Sequence, residues 1–254
     1  MYLTIRGLVI RVTPYKDTDA LLTVLTGTHG KITVKARGLK RKNSPLVAPC
    51  QLLAFGEFTL FEYKNMYTIN EAHAIELFSE LRKDLQKLSL GTYFAQVAEV
   101  LSQEDLPNPE LLSLVLNCLH ALAALNLSEG QVKAVFELRG ACIAGYTPDL
   151  QGCHICGNAY ADKLDISEGT LQCSSCTSVS SNGIRMPVNP GMLDAMRYIC
   201  YCDAKKLFGF TLNEESMDAL SSVTESYLTT QLERGFTTLD FYKSLLIPMD
   251  HFNV

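Results

Sequence analysis

The stretch GCHICGNAYADKLDISEGTLQCSSC, residues 152–176, decides how the second half of the chain folds. It contains two Cys-x-x-Cys pairs separated by sixteen residues. The segments KLDI, SEG and TLQC between the pairs are typical of a β-hairpin, which would carry the second pair back to the first. Gly157 follows the first pair, where a tight turn needs freedom in φ. The spacing predicts a metal site in a hairpin of residues 152–180, with ligands Cys153, Cys156, Cys173 and Cys176.

Zinc is the metal that this ligand set predicts. Four thiolates fill a tetrahedral coordination sphere, so we expect one structural Zn²⁺ rather than a catalytic ion with an open position. His154 lies between two ligands and is an alternative ligand, although a solvated bystander fits the spacing better. The other interpretations are a redox dithiol or plain buried cysteines. The remaining cysteines lack partner spacing and are interpreted as small core residues: Cys50, Cys118, Cys142, Cys200 and Cys202.

Composition places the chain among globular proteins. It has 254 residues, of which 47% are hydrophobic and 19% charged, and such a length predicts two or three domains. The apolar run at residues 111–127 is interpreted as a buried core helix rather than a membrane span, because polar residues interrupt it. The first residues resemble a strand and not a signal peptide. We therefore expect a cytoplasmic, nucleoid-associated protein with no membrane partner, in a compartment that keeps its nine cysteines reduced.

The charge is distributed unevenly. Residues 1–45 contain nine lysines or arginines and two aspartates, a net charge of +7. Because the whole chain carries −5, the remainder carries −12. A local basic region is the electrostatic footprint of nucleic-acid binding even where the overall charge is acidic.

The same region has the pattern of a small β-barrel. In KITVKAR, residues 31–37, apolar and basic residues alternate, as they do on a strand with one buried face. Five short strands within 75 residues predict an OB-type barrel. The expected strands are 3–12, 20–25, 31–37, 57–62 and 66–71.

One strand face and the loop after it are cationic, which favours a groove that follows a nucleic-acid backbone. A solvated loop is the alternative. The predicted DNA-binding residues are Lys31, Lys35, Arg37, Lys40, Arg41 and Lys42. The aromatic residues that offer stacking faces, unless they belong to the core, are Phe55, Phe58, Phe61, Tyr63 and Tyr67.

From about residue 75 the hydrophobic period changes from two to 3.6. Helices are predicted through residue 101 and at 109–126, 189–202, 213–234 and 237–245, and a further helix is predicted to start after the N-cap Ser128 and to end near Gly145. Asn189 and Pro190 have the types preferred at a helix start. The predicted fold class is α+β: an OB-fold β-barrel at 1–78, then an α-helical domain at 79–254 that carries an inserted four-cysteine zinc finger.

Catalytic motifs are missing from the sequence. It has neither a phosphate-binding Gly-x-x-x-x-Gly-Lys loop nor a Gly-x-Ser-x-Gly elbow. The His-x-Glu and Pro-Cys-x-x-Cys pattern of zinc deaminases is also missing. We therefore expect a protein that is not an enzyme; a zinc-dependent deaminase or a redox enzyme is the least favoured class.

Two stretches resemble the bacterial RecO family of DNA repair proteins. FELRGACIAGYTPDLQGCHICG, residues 136–157, is similar to the family's arginine-bearing helix that leads through Gly-Tyr-x-Pro into the first cysteine pair. GLVIRVTPYKDTDALLTVLTGTHGKITVKARGLKRKNSPL, residues 7–46, resembles the family's first strands and basic loop. The resemblance extends over about residues 4–245 and is only architectural in the last 70.

This resemblance implies a non-enzymatic recombination mediator. Such proteins bind single- and double-stranded DNA, anneal complementary strands, engage the C-terminal tail of the single-strand binding protein SSB, and act with RecR to load RecA onto SSB-coated strands. Arg139 lies in the matched stretch and is a candidate for partner binding, or for an ion pair with Glu137 or Asp149. The alternative function is a zinc-ribbon adaptor of transcription or translation whose barrel binds RNA.

Overall fold

The computed structural model describes residues 2–64, 66–176 and 183–247. The chain forms two compact units: unit 1 comprises residues 1–125 and 236–254, and unit 2 comprises residues 126–235. This division by packing differs from the predicted domains 1–78 and 79–254, which stay a prediction. Residues 177–180 of the predicted hairpin lie outside the described ranges.

Unit 1 begins with a closed five-stranded barrel. Its strands are β1 (Tyr2–Tyr15), β2 (Asp19–Thr26), β3 (Lys31–Ala36), β4 (Phe55–Tyr63) and β5 (Met66–Glu76). They are hydrogen-bonded in the order β1-β2-β3-β5-β4, and β4 pairs with β1 to close the barrel. Within the barrel, all described pairings are antiparallel except β3 with β5. The predicted α+β class, with an N-terminal OB-like barrel followed by helices, is confirmed.

The barrel interior follows the alternation expected from the sequence. Ile32, Val34 and Ala36 on β3 are buried, whereas Lys31 and Lys35 point to the other side. These three apolar residues pack with buried residues of the four remaining strands, so one apolar core holds the barrel together. The basic face of β3 is therefore the outer face.

Six α-helices follow in the described ranges. They are α1 (Leu85–Leu101), α2 (Pro109–Ala124), α3 (Glu129–Ile143), α4 (Pro190–Tyr201), α5 (Glu214–Gln231) and α6 (Thr237–Leu245). In unit 1, α1 packs against β1, α2 and α6. As predicted, the side chain of Asn189 accepts a hydrogen bond from Met192 N at the start of α4 (2.9 Å).

The first helix starts later than its hydrophobic period predicts. Strand β5 continues to Glu76, and a 3₁₀-helix at Ser79–Lys83 precedes α1. The carboxylate of Asp84 accepts hydrogen bonds from the backbone N–H groups of Gln86 and Lys87 (2.9 and 3.2 Å). Because this cap satisfies the first free amides of the helix, α1 begins at residue 85 and not near 75.

The apolar run at residues 111–127 forms most of α2 and is a core helix, as predicted. Leu111, Val115, Cys118, Leu119 and Leu122 are at most 2% exposed. Across the described ranges, no helix combines the length and apolarity needed to cross a bilayer.

Unit 2 combines α3, α4 and α5 with a small sheet. Its strands are β6 (Asp149–Cys153), β7 (Lys163–Asp165), β8 (Thr170–Gln172) and β9 (Arg185–Pro187), in the order β6-β8-β7-β9. Helix α3 packs mainly against α5 and also against α4. The antiparallel pair β7 and β8 is the hairpin that the sequence predicts between the two cysteine pairs.

A charged cluster is buried between α3 and α5. Lys133 Nζ lies 3.0 Å from Glu137 Oε1 and 2.8 Å from Glu225 Oε2. Thr224 Oγ1 donates to Glu137 Oε2 at 2.8 Å. The side chains of Lys133 and Glu137 are 4% and 0% exposed. Burial raises the pKa of Glu137, and the charge of Lys133 opposes that rise. The ionised form of the Glu137 carboxyl group is therefore stabilised by Lys133.

Candidate metal centre and nucleic-acid interface

The four predicted metal ligands meet at one end of the small sheet. Cys153 ends β6, and Cys156 follows in a turn that Gly157 closes with φ +74°. Gly157 N donates to the carbonyl of Cys153 at 2.7 Å, which makes the first knuckle. Cys173 and Cys176 form a second knuckle directly after β8, with Cys176 N donating to the carbonyl of Cys173 at 3.0 Å.

The hydrogen bonds of the sheet hold the two knuckles together. The backbone N–H of His154 donates to the carbonyl of Leu171 on β8 (2.8 Å). The buried carboxylate of Asp165 accepts from Ser167 N and Glu168 N, both at 3.1 Å, and so shapes the turn of the hairpin. The sequence interpretation missed Asp165, although an aspartate two residues before Ser-Glu-Gly is typical of a turn.

The four sulfur atoms fit a single ion. They lie within 4.8 Å of one another, and Cys156 Sγ and Cys173 Sγ are 3.7 Å apart. Tetrahedral coordination with Zn–S bonds of about 2.3 Å separates sulfurs by about 3.8 Å. The arrangement therefore needs only small shifts to hold a metal ion. Within the described residues, this group of potential ligands includes no histidine, and His154 is exposed.

The electrostatics of the cluster suit a cation. Burial would raise the pKa of Cys153, but hydrogen bonds from the backbone amides of Cys156, Cys173 and Ile155 lower it to about 6. Hydrogen bonds with the neighbouring sulfurs of Cys173 and Cys156 raise the pKa of Cys176 to about 12. The thiolate of Cys153 is therefore favoured, whereas hydrogen bonds with the neighbouring sulfurs hold the proton on Cys176. A bound dication would favour the thiolate form of all four ligands.

The predicted DNA-binding residues divide into two groups. Lys31 and Lys35 are half-buried and make contacts within unit 1. Lys31 Nζ donates to the carbonyl of Glu99 at 2.8 Å, and Lys35 Nζ lies 3.1 Å from Asp19 Oδ2 and 4.9 Å from the centre of the Tyr15 ring. These two lysines therefore have internal roles within unit 1, and their assignment to DNA stays a prediction.

The other four cations are exposed and close in sequence. Arg37, Lys40, Arg41 and Lys42, named the basic loop here, make no ion pair with any residue that the structure describes. Arg37 and Arg41 line a surface cleft that also contains Asn43 and Asn70. Two guanidinium groups and two amides in one cleft are suited to binding phosphate oxygens.

Asp19 anchors the start of the basic loop. Its Oδ1 accepts from the backbone N–H of Gly38 (2.9 Å), and its Oδ2 pairs with Lys35. The carbonyl of Thr18 accepts from Lys40 N at 3.0 Å. The hydrogen bond from Gly38, followed by that from Lys35, holds the pKa of Asp19 below its ordinary value of 3.8. The turn between β1 and β2 thus fixes where the loop leaves the barrel.

We expect Asp19→Asn to destabilise unit 1 at neutral pH and to matter less in acid. The folded pKa of Asp19 lies below the unfolded value of 3.8. Its stabilisation is therefore complete above that value and is lost as the pH falls through the folded pKa. The measurement is the urea midpoint of both proteins across a pH series, with the exposed Asp17→Asn as control. If the difference in urea midpoint between wild type and Asp19→Asn does not become smaller in acid, this role of Asp19 is contradicted.

Comparison with known families decides the identity of the chain. The family model described as "Recombination protein O N terminal" matches residues 1–78, and that described as "Recombination protein O C terminal" matches residues 82–240. The chain belongs to the RecO family. This confirms the resemblance drawn from residues 7–46 and 136–157.

Curated RecO relatives match over nearly their whole length. The DNA repair protein RecO of Acetivibrio thermocellus is 33% identical over 246 residues, which cover 96% of this chain and 97% of the relative. That of Alkaliphilus metalliredigens is 28% identical, covering 96% of this chain and 100% of the relative. That of Bacillus pumilus is 27% identical, covering 89% and 88%. Membership in this family makes the chain a DNA repair protein.

The predicted stacking residues of this RecO chain are mostly not available at the surface. Phe58 is fully buried, and Phe55 and Tyr67 are half-buried. Phe61 and Tyr63 are 41% and 63% exposed. The sequence interpretation missed Tyr2, which is 63% exposed and has its ring centre 5.4 Å from that of Phe61. A strand pattern does not reveal such a cross-strand pair, because it depends on the register of β1 with β4.

Arg139, in the stretch that resembles RecO most, caps a helix. Its Nη1 donates to the carbonyls of Ile199 and Cys200 at 3.1 and 2.5 Å, at the C-terminal end of α4. A guanidinium at this end satisfies free carbonyls and interacts favourably with the helix dipole. Of the two suggested ion-pair partners, Glu137 is paired with Lys133. The role of Arg139 in partner binding stays a prediction.

Proposed function

We propose that this RecO-family chain is a recombination mediator that binds DNA through the basic loop. The observation that supports this most is the exposure of Arg37, Lys40, Arg41 and Lys42 together on one loop of an otherwise acidic chain. Cations on a barrel loop neutralise phosphates of any sequence and leave the bases free to pair. Annealing of complementary strands requires that combination.

The mediator role extends the same proposal to partners. The chain binds single- and double-stranded DNA, engages the C-terminal tail of SSB and, with RecR, helps to load RecA onto SSB-coated strands. It does so without catalysing a reaction, in the cytoplasm and near the nucleoid. The family membership and the exposed basic loop support this role. An RNA-binding adaptor would share the barrel but would not anneal SSB-coated DNA.

The metal of the proposed centre is Zn²⁺. Sulfur ligands, tetrahedral spacing and the absence of a non-sulfur ligand from the described cluster favour zinc over magnesium or calcium. Cys153, Cys156, Cys173 and Cys176 would hold it. When bound, it supplies a structural cross-link between the two knuckles.

The test of DNA binding is the variant Lys40→Ala/Arg41→Ala/Lys42→Ala. If each cation neutralises one phosphate, the slope of log K against log salt on single strands should fall by about 0.7 × 3, or about 2 units. Binding should weaken by a similar factor on unrelated sequences, and annealing of SSB-coated strands should slow. The measurement is fluorescence anisotropy at several salt concentrations.

Lys205→Ala/Lys206→Ala is the matched control, because it removes exposed cations from unit 2. We expect it to leave the slope unchanged. If the triple variant keeps the wild-type slope, the DNA-binding surface does not include the basic loop. Annealing of RNA but not of SSB-coated DNA would favour the adaptor function.

A further inference from the structure

Two cysteines that the sequence analysis interpreted as core residues face each other in unit 2. Cys142 is the penultimate residue of α3, and Cys200 is the penultimate residue of α4. Their sulfur atoms are 3.6 Å apart, although 58 residues separate them in the chain. Neither belongs to the group of four thiols that forms the metal centre.

The surroundings of Cys142 stabilise its thiolate. Its hydrogen bond with Cys200 is the largest influence, burial opposes it, and Thr147 and the charge of Arg139 assist; together they lower the pKa of Cys142 below its ordinary value. The C-terminal end of a helix disfavours negative charge. The guanidinium of Arg139, besides capping α4, offsets this by stabilising the negative charge of the Cys142 thiolate. The thiolate of Cys142 is therefore favoured relative to that of an ordinary cysteine.

The two sulfurs differ in access and in protonation. Cys142 is half-buried, whereas Cys200 is 7% exposed, so Cys142 is the more accessible of the two residues. The adjoining sulfur of Cys142 and burial both raise the pKa of Cys200. The pair thus presents a reachable thiolate in front of a protected thiol, which is the asymmetry that two-step oxidation of a dithiol requires.

We propose that Cys142 and Cys200 form a peroxide-sensitive dithiol that closes to a disulfide between α3 and α4. In the first step, the Cys142 thiolate attacks a peroxide oxygen; the O–O bond breaks, Cys142 becomes a sulfenic acid, and hydroxide leaves and takes up a proton. In the second step, Cys200 loses its proton and its sulfur attacks the sulfenic sulfur, which releases water. The two thiols lose two electrons, and hydrogen peroxide is reduced to two waters.

The position of the pair makes closure possible. Each cysteine lies in the last turn of its helix, where backbone hydrogen bonds are fewest and side chains can adjust. The residues between them include all four thiols of the metal centre. A disulfide would close this segment into a covalent loop. Oxidation would therefore limit the conformational entropy that the segment gains if unit 2 unfolds after loss of the metal.

The test uses the full-length, metal-loaded chain and hydrogen peroxide. After treatment at neutral pH and alkylation of free thiols, digestion should yield one linked peptide that joins Cys142 to Cys200 and lacks the mass of two hydrogens. Dithiothreitol should reverse the link. Cys142→Ser and Cys200→Ser should each abolish it, with Cys142→Ala and Cys200→Ala as second variants in case serine impairs folding. Cys118→Ser, at another buried cysteine, should leave it unchanged.

Three results would overturn the proposal. The first is a link from Cys142 to Cys202 in place of Cys200. The second is conversion of Cys142 to sulfinic acid without a linked peptide. The third is oxidation of the metal-centre thiols while Cys142 still accepts the alkylating agent. Because none of these measurements involves DNA, they are independent of the proposed mediator function.

Discussion

Replacing Cys153 with serine is expected to unfold most of unit 2. The strands β7, β8 and β9 have only three residues each, and strands this short need a cross-link to stay paired. Structural zinc sites contribute about 10–16 kcal/mol of apparent binding free energy, whereas whole domains are stable by about 5–15 kcal/mol. Loss of the metal, which we expect when one ligand is removed, would therefore remove a contribution comparable to the total. Chelation of the metal from the wild-type chain should have the same effect.

The measurements are the metal content of the purified protein, by elemental analysis, and thermal unfolding followed by circular dichroism. Wild type should contain about one zinc ion per chain, and Cys153→Ser much less. His154→Ala is the control, because it changes an exposed side chain between two ligands. We expect it to keep the metal. A wild-type chain that is folded but contains no metal would refute the zinc centre.

Replacing Lys133 with methionine should destabilise unit 2 by about 3–5 kcal/mol, the usual cost of removing one partner from a buried ion pair. Methionine keeps most of the side-chain volume, so the effect reports on charge. It leaves the carboxylate of Glu137, which is 0% exposed, without the lysine that lies 3.0 Å away. The partly exposed Glu225 can turn towards water, so most of the cost arises at Glu137.

Equilibrium unfolding in urea measures this effect, and a double-mutant cycle identifies its origin. Lys133→Met/Glu137→Leu removes both charges and should recover much of the lost stability. Glu225→Gln should cost less than Lys133→Met. If the double variant is no more stable than the single one, packing rather than an unpaired charge accounts for the loss.

Local patterns were sufficient to predict most of the elements. Alternation in residues 31–37 placed β3, and the cysteine spacing placed the hairpin between the knuckles. These features depend on neighbours in sequence. The predicted start of α1 was wrong. The helical hydrophobic period begins near residue 75, but the capping hydrogen bonds of Asp84 fix the first turn of the helix at residue 85.

Long-range contacts account for what the sequence did not reveal. Cys142 meets Cys200 across 58 residues, and Lys133 donates to the carbonyl of Ser221 across 88. Lys35 was grouped with the DNA-binding residues from its strand face, yet Asp19 on the neighbouring strand holds it. Each of these pairings depends on how elements pack, and no spacing along the chain encodes that.

Helix α6 shows that the sequence of unit 2 is inserted into the sequence of unit 1. The chain leaves unit 1 after residue 125 and returns at residue 236. The ring of Phe236 lies 5.6 Å from that of Tyr93, and Thr238 Oγ1 donates to Gln96 Oε1 at 2.5 Å. During synthesis, residues 126–235 are therefore complete before the helix that finishes the first unit leaves the ribosome. The N-terminal unit is begun first and finished last, so a premature stop near residue 235 would deprive α1 of a packing partner that lies 142 residues further along the chain, measured from Gln96 to Thr238.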